Sequence, residues 1–289
     1  MIRSSLPHLH VAALSHAGMS GKNNEDRYAI SSFQLSPDDS RPALFAVIAD
    51  GIGGHRAGEV AAELAVNYIT AAVAESNAKK PTYILENAIQ NASQSIASHS
   101  AGKADQDGMG STCSCVWVIE NKLYTAYVGD SRIYLLRGKH IQRLTIDHTW
   151  VQEAFEKGII TAEQMRDHPN LHVIRRHLGG IKLPEVDFRL RIDDSETNEE
   201  SENNQGFQLA SGDTVLICSD GLTDLVWDDE ILKTIRSKKD LKFAAKALIN
   251  MANERGGHDN ITVVILSMPS LEETRKKKFG ILDWILGDK

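Results

Sequence analysis

Apolar residues in this chain fall into two kinds of pattern. Leu44-Phe45-Ala46-Val47-Ile48-Ala49, Val215-Leu216-Ile217-Cys218 and Ala126-Tyr127-Val128 are short unbroken runs that read as strands. Elsewhere the apolar positions recur at helical spacing. Val60, Ala61, Leu64, Ala65, Tyr68, Ile69, Ala72 and Val73 predict a core-facing helix from His55 to about Ala74. Pro81 opens a second helix, with Ile84, Leu85, Ala88, Ile89, Ala92 and Ile96 on one stripe, since proline is tolerated in a first turn.

From Ser111 to Leu144 the pattern changes to strand-like runs, Cys113 to Ile119, Leu123 to Val128 and Ile133 to Leu136. Asn121-Lys122 and Arg137-Gly138-Lys139 serve as turns, which predicts an antiparallel meander. Asp240 is placed to cap a helix running to about Glu254. Its buried face carries Phe243, Ala247, Leu248 and Met251, and Gly256 lies just past its end. Ile261 to Leu266 reads as a last strand. Strands and helices thus come in blocks rather than in βαβ alternation, which predicts an α+β fold with antiparallel sheets and helices outside.

The candidate chemistry sits where these runs stop. Asp50, Asp130 and Asp220 follow the three apolar runs, and Glu25, Asp224 and Asp259 lie in further short cassettes, most of them beside a glycine or an apolar run. One Asp-Gly after a strand is ordinarily a turn. Several ionised carboxylates gathered in one cleft raise each other's pKa and require a counter-charge, which divalent cations supply. All the candidate ligands are oxygens, with no His or Cys pair at zinc spacing, so magnesium or manganese is favoured over zinc. Glycine lets the backbone approach closely and leaves its carbonyl to coordinate, and Gly51 is the best placed to do so. The set suggests a two-metal phosphate hydrolase.

Asn24-Glu25-Asp26, Asp50-Gly51-Ile52-Gly53-Gly54-His55, Gly110-Ser111-Thr112, Val128-Gly129-Asp130-Ser131-Arg132, Cys218-Ser219-Asp220-Gly221-Leu222 and Asp259-Asn260-Ile261-Thr262 follow one another in order. Through these motifs, from about Ala12 to about Met268, the chain resembles the metal-dependent serine/threonine protein phosphatases of the 2C type in their compact bacterial form. The resemblance implies a four-layer αββα sandwich, two stacked antiparallel sheets flanked by helices, with a metal cleft at one end. It also implies roles. Asp50 bridges two Mn²⁺ or Mg²⁺ ions, Gly51 gives its carbonyl to one, Asp220 and Asp259 complete the other, and Glu25 holds a metal-bound water. Asp130 and Asp224 match the residues that bind a third, weaker ion near a flap. The implied reaction is direct hydrolysis of phosphoserine or phosphothreonine by a metal-activated water, without a phosphoenzyme. The implied partners are phosphorylated proteins, a bacterial Ser/Thr kinase and its substrates, and the chain is expected to act as a monomer.

Two positions depart from the family pattern. The arginine that clamps substrate phosphate four residues before the motif glutamate is replaced by Gly21, and the nearest cation is Lys22. Lys22 is either a point charge for the phosphate or a solvated side chain; it lacks the fork of a guanidinium. The histidine that eukaryotic members carry two residues after the bridging aspartate is Ile52 here. His55 is either a proton donor to the leaving oxygen or a residue that caps its helix or faces solvent. Gly21 keeps a second function class open, a phosphoprotein-binding regulatory member with little or no turnover.

Length and charge narrow the picture further. A chain of 289 residues with 42% hydrophobic content suits one catalytic domain, assigned to 1–268. A formal charge of −7 argues against a nucleic-acid binder and suits a cytoplasmic enzyme, while a role in signalling is what the resemblance implies. Cys113, Cys115 and Cys218 lie in or beside strand-like runs, as buried thiols in a reducing compartment. His8, His10 and His16 interrupt the N-terminal apolar stretch, so neither a signal peptide nor a spanning helix is expected. Residues 147–180 correspond to the family's flap, with short helices around Val151 to Lys157 and Ala162 to Arg166. His148, His168, His172 and His177 are read there as surface-shaping, and Arg175 and Arg176 as attracting acidic phosphopeptides or solvating a strand.

Residues 193–205 are expected to form a disordered or weakly ordered loop, with six acidic residues between Asp193 and Asn204. The tail, 269–289, carries Arg275-Lys276-Lys277-Lys278 before an apolar segment from Phe279 to Leu286 too short to span a bilayer. It suits packing on its own domain, a partner groove or an anionic membrane surface.

Overall fold

The computed structural model describes residues 1–53, 57–104 and 106–270. His55, expected at the start of the first helix, and the tail from residue 271 onward lie outside the described residues. The chain opens with β1 (Ile2–Arg3), β2 (His10–His16), β3 (Arg27–Ser36), β4 (Asp39–Ala49) and β5 (Gly51–Ile52). Two long helices follow, α1 (Ala57–Glu75) and α2 (Pro81–Ser100). Next come β6 (Gly110–Ser111), β7 (Cys113–Ile119), β8 (Lys122–Val128), β9 (Arg132–Arg137) and β10 (His140–Arg143). The short helices α3 (Trp150–Glu156), α4 (Ala162–Met165) and α5 (Asn198–Asn203) lead to β11 (Phe207–Gln208) and β12 (Thr214–Cys218). The chain then forms α6 (Asp220–Thr223), α7 (Asp228–Ser237), α8 (Leu241–Glu254) and β13 (Ile261–Ser267).

The strands build two antiparallel sheets, ordered β1-β3-β4-β7-β8-β11 and β10-β9-β12-β13-β2, with β5 and β6 as a separate ribbon. Strand β4 explains why its apolar run is unbroken. Ala43, Phe45, Val47 and Ala49 pack with α1 and α2, whereas Leu44, Ala46 and Ile48 pack between the sheets. Strand β13 is its mirror: Val264 and Leu266 enter the inter-sheet core while Ile261, Val263 and Ile265 lie under α7 and α8. Both faces of each central strand are buried, so period-two alternation disappears and each buried Val, Leu, Ile or Phe contributes about 1.5–3 kcal/mol. The four-layer αββα sandwich follows, as the family resemblance implied. All three cysteines are buried free thiols. Among the described residues no helix is long and apolar enough to cross a membrane.

Three local expectations are corrected. The stretch from Ser111 to Leu144 is not one meander. β7 and β8 pair in the first sheet, but β9 pairs with β12 in the second, and the chain crosses between layers at Gly129-Asp130-Ser131. Locally such a crossing looks like a hairpin turn, because only distant pairing separates the two. Helix α8 buries Ala244, Ala245, Leu248, Ile249 and Ala252, whereas Phe243 is 68% exposed. The alanines let the helix sit close on the sheet, which turns the larger Phe243 outward. The acidic segment is not structureless either. Thr197 and Glu200 close a reciprocal capping box at the start of α5, Ser201 is buried, and the Asn204 amide donates to Leu190 O at 3.0 Å.

Candidate metal centre

The ends of β4, β8 and β12 and the start of β13 meet at one end of the sandwich, and hydrogen bonds fix the backbone that carries Asp50 and Glu25 there. The Asp50 N–H donates to Thr112 Oγ1 at 3.0 Å, while the Thr112 N–H and Ser111 Oγ donate to Asp50 O at 2.8 and 3.0 Å. This gives the Gly110-Ser111-Thr112 motif its structural job. A Cβ on Gly51 would lie 2.2 Å from Gly58 O, and one on Gly58 would lie 2.9 Å from the Glu25 carboxylate. Only glycine permits that approach of α1 to the site. Gly129 has φ +113°, and a Cβ there would meet the Thr112 side chain at 2.5 Å, so the crossing that delivers Asp130 also needs glycine.

On the second sheet, Asp220 opens α6 and Asp224 follows one turn later. A Cβ on Gly221 would lie 2.1 Å from Asn260 O, which accounts for the Ser219-Asp220-Gly221 sequence. Asn260 ties the remaining pieces together. Its Oδ1 accepts the Glu25 N–H at 2.7 Å, and its Nδ2 donates to Ala17 O and Asn23 O at 3.1 Å. Neighbouring Asp259 is exposed at the rim.

The electrostatics show how closely these groups gather. Burial, then the charges of Asp26, Asp220, Asp130 and Asp259, push the Asp50 carboxyl well above the ordinary carboxylate range. Burial, then Asp130, Asp224, Asp259 and Asp26, do the same to Asp220. Burial and Asp147 raise Asp130 to about 7. The Glu25 carboxyl is raised by burial and Asp259, and Lys22 opposes the shift, so exposed Lys22 stands near it. Mutual charge effects thus group Asp50, Asp220, Asp130, Asp224, Asp259 and Glu25 at this end, and among the described residues the ligand atoms that come within 4.8 Å of one another are those of His172, Asp220 and Asp224. His55 lies outside the described residues.

The donor chemistry fits divalent cations. Oδ1 of Asp26, Asp130 and Asp220 and Oε1 of Glu25 are buried and accept no hydrogen bond. Orphaned buried acceptors are costly, and the nearby charges of Lys22, Arg27 and Arg132 offset only part of the repulsion among these four. A hard cation with several oxygen ligands resolves both the orphaned oxygens and the mutual repulsion.

Sequence reasoning assigned no role to several groups at the site. Asp26 is buried, receives Ser219 Oγ at 2.8 Å and is raised to about 6, chiefly by burial. Its position beside Glu25 was the available signal. His172 does not merely shape a surface: its Nδ1 lies 3.5 Å from Asp224 Oδ2 and 4.0 Å from Asp220 Oδ2. His148 is buried, stacks on Tyr127, accepts the Gly129 N–H at 3.0 Å and faces Asp187 Oδ2 at 3.0 Å. Arg166 lies with its guanidinium 3.3 Å from the Trp227 ring centroid and donates to Asp224 O at 3.0 Å. Arg166, Trp227, Met165, Leu171 and His172 wall a cavity of about 200 Å³ that opens onto Asp130, Asp220 and Asp224. Arg175 and Arg176 pair instead with Glu153 at 3.5 Å and Glu185 at 3.6 Å.

Comparison with known proteins gives a consistent answer. The family described as Protein phosphatase 2C matches residues 15–264. A serine/threonine phosphatase stp of Listeria monocytogenes is 32% identical over 271 residues, covering 92% of this chain and 99% of that protein. The S. agalactiae serine/threonine phosphatase superposes with a TM-score of 0.77 at 28% identity, covering 89% of this chain and 98% of that one. The catalytic domain of the serine threonine protein phosphatase PstP, solved in complex with two manganese ions, superposes with a TM-score of 0.71 at 31% identity, covering 90% of this chain and 97% of that one.

Proposed function

The chain belongs to the protein phosphatase 2C family and is a serine/threonine phosphatase, and from that premise we propose how its residues divide the work. Asp50, Gly51, Asp220 and Asp259 hold a pair of Mn²⁺ or Mg²⁺ ions, Glu25 fixes a water at one of them, and Asp130 with Asp224 takes a third. What carries this reading is the set of four buried carboxylate oxygens without a donor, each within a cluster of its own charge. When bound, the cations neutralise phosphoryl charge and lower the pKa of a bound water enough for it to serve as nucleophile at neutral pH.

The rest is done by the chain. Thr112, Ser111 and Asn260 lock the backbone of Asp50 and Glu25, so the carboxylates are fixed before substrate arrives and little reorganisation is needed at reaction. The phosphate is received by Lys22 on the Glu25 side and by Arg166 across the cavity. Gly21 has φ +75°, a region where an arginine is strained, which suits a cation displaced to other positions. His55 is assigned the proton for the departing serine or threonine oxygen. Residues 147–180, with α3 and α4, form the flap of a single catalytic domain spanning 1–268. The substrates are phosphorylated proteins of a bacterial Ser/Thr kinase in the cytoplasm, where the chain acts as a monomer in signalling.

The test is manganese-dependent hydrolysis of p-nitrophenyl phosphate and a phosphothreonine peptide, with a chelator arm and Asp220→Ala as control. Turnover that requires the metal and is lost in the variant is expected. Chelator-insensitive turnover would overturn the metal assignment. Peptide binding without turnover at any metal concentration would favour the phosphoprotein-binding reading, which Gly21 alone recommends.

A further inference from the structure

The crossing that delivers Asp130 is pinned on both sides. After Asp130, Ser114 Oγ donates to Ser131 O at 2.8 Å, and the Ser131 hydroxyl lies 3.0 Å from Thr112 Oγ1, the group that also receives the Asp50 N–H. Before Asp130, both polar backbone groups of Gly129 go to one residue. The His148 N–H donates to Gly129 O at 3.0 Å, and the Gly129 N–H donates to His148 Nδ1 at 3.0 Å. Gly129 has φ +113°, and this two-way clasp fixes it there. The peptide that leads into Asp130 is therefore aimed by a residue belonging to neither sheet.

The imidazole is held in turn. Its side chain is 3% exposed, its ring stacks on Tyr127 with centroids 5.3 Å apart, and its Nε2 lies 3.0 Å from Asp187 Oδ2. A ring that accepts at Nδ1 carries its proton on Nε2, so it donates to Asp187 there. Asp187 is anchored by the Arg189 guanidinium and by two backbone hydrogen bonds with Tyr127, each at 3.0 Å. An apolar side chain would fill such a place with no polar group to satisfy, whereas the chain of bonds from Arg189 through Asp187 to His148 ends on one backbone amide, that of Gly129. A carboxylate behind an imidazole is the usual means of fixing which way the ring points.

His148 also stands at the root of the segment that covers the cleft. Its carbonyl accepts the Arg175 N–H at 2.7 Å, and the Trp150 N–H donates to Val173 O at 2.9 Å. Residues 148–150 thus pair with the stretch that brings His172 to Asp224.

We infer that His148 is a positioning residue, which sets the Asp130 carboxylate through the Gly129 backbone and ties it to the base of the flap. The inference rests on the reading of Asp130 as a ligand of the third ion. Outer partners of this kind change metal affinity by about 10- to 100-fold.

Two substitutions separate the clasp from packing. His148→Asn keeps an oxygen where Nδ1 accepts and gives up the bond to Asp187, whereas His148→Gln keeps a nitrogen that reaches Asp187 and gives up the acceptor. Both lose the stacked ring, so both should melt below the parent. Mn²⁺ binding to the full chain is measured by equilibrium dialysis, with Asp130→Ala as control. The control is expected to lose the weakest ion and keep the other two. His148→Gln is expected to bind that ion at least about tenfold more weakly than the parent, and His148→Asn to regain most of the affinity. Amide exchange at Gly129, read by NMR without metal, should be fast in His148→Gln and slow in His148→Asn. Equal effects of the two substitutions on the weak ion, or an affinity that follows the melting temperatures, would overturn the inference. If Asp130→Ala keeps the weak ion, the third-ion reading fails and this inference with it; if the control loses that ion and His148→Gln does not, the inference alone fails.

Discussion

Two groups of buried carboxylates, Asp147 with Asp187 and Asp26 with Asp130, behave in opposite ways. Asp147 is held below the ordinary range, because burial is outweighed by Arg132 at 2.6 Å and Arg143 at 3.5 Å. Asp187 is held far below it: His148 and Arg189, the latter with three hydrogen bonds from its side chain, outweigh the same burial. Asp130, one crossing away from Arg132, is raised to about 7, and Asp26 to about 6. Residue type and burial are shared, so the difference is the partner. The chain supplies guanidinium groups where it needs permanent structure and withholds them at the strand ends, where the counter-charge has to come from solution.

The largest effect should come from the cleft. Asp50→Asn is expected to lower turnover of p-nitrophenyl phosphate by on the order of 10³-fold. The same change removes one of several like charges, so the metal-free protein should melt a few degrees higher, about 4 °C by differential scanning calorimetry. A fall in metal-free stability would erase the contrast between the two groups.

The clamped carboxylates should respond with the other sign. Asp187→Ala leaves Arg189 and His148 without their buried partner and is expected to cost about 3 kcal/mol in urea unfolding, with or without metal. A loss confined to the metal-loaded form would mean that Asp187 belongs functionally with the cleft.

pH separates the groups next. Asp26 and Asp130 bind their protons more tightly folded than unfolded, so their stabilisation is complete below the unfolded value of about 4 and is lost as pH rises through about 6 and about 7. Asp147 and Asp187 are depressed, so their stabilisation is present above about 4 and lost only as pH falls below it. The melting temperature of the metal-free chain should therefore drop from about pH 5 to about pH 8, and Mn²⁺ should flatten the slope. A rise over that window without metal would contradict the assignment.

The smallest effect concerns the cavity wall. Arg166→Ala is expected to raise KM for a phosphopeptide by about fivefold with kcat nearly unchanged, as removal of uniform binding does. A loss in kcat instead would place Arg166 at the transition state.

The sequence carried those parts of this picture that local pattern can carry. The runs ending in Asp50, Asp130 and Asp220 were legible because strands buried on both faces leave unbroken apolar stretches. The start of α8 was legible because Asp240 is a side-chain cap. The crossing at Gly129 was not, since a turn between strands looks alike whether the next strand joins the same sheet or another. Composition misled at α5, where the acidic content outweighed a Thr197-Asn198-Glu199-Glu200 capping signal that was present. His172 and Arg166 meet Asp220 and Asp224 only through the fold, and no spacing links residues about fifty positions apart.

The most direct test of the central claim is calorimetric titration of Mn²⁺ into the chelator-treated chain at about pH 7, in two buffers of different ionisation enthalpy. The account predicts uptake of about two ions per chain with net proton release, because carboxyls raised by burial and by one another give up their protons to the metal. It also predicts that Asp50→Asn abolishes most of that uptake. Binding without proton release, or binding unchanged by the substitution, would contradict it.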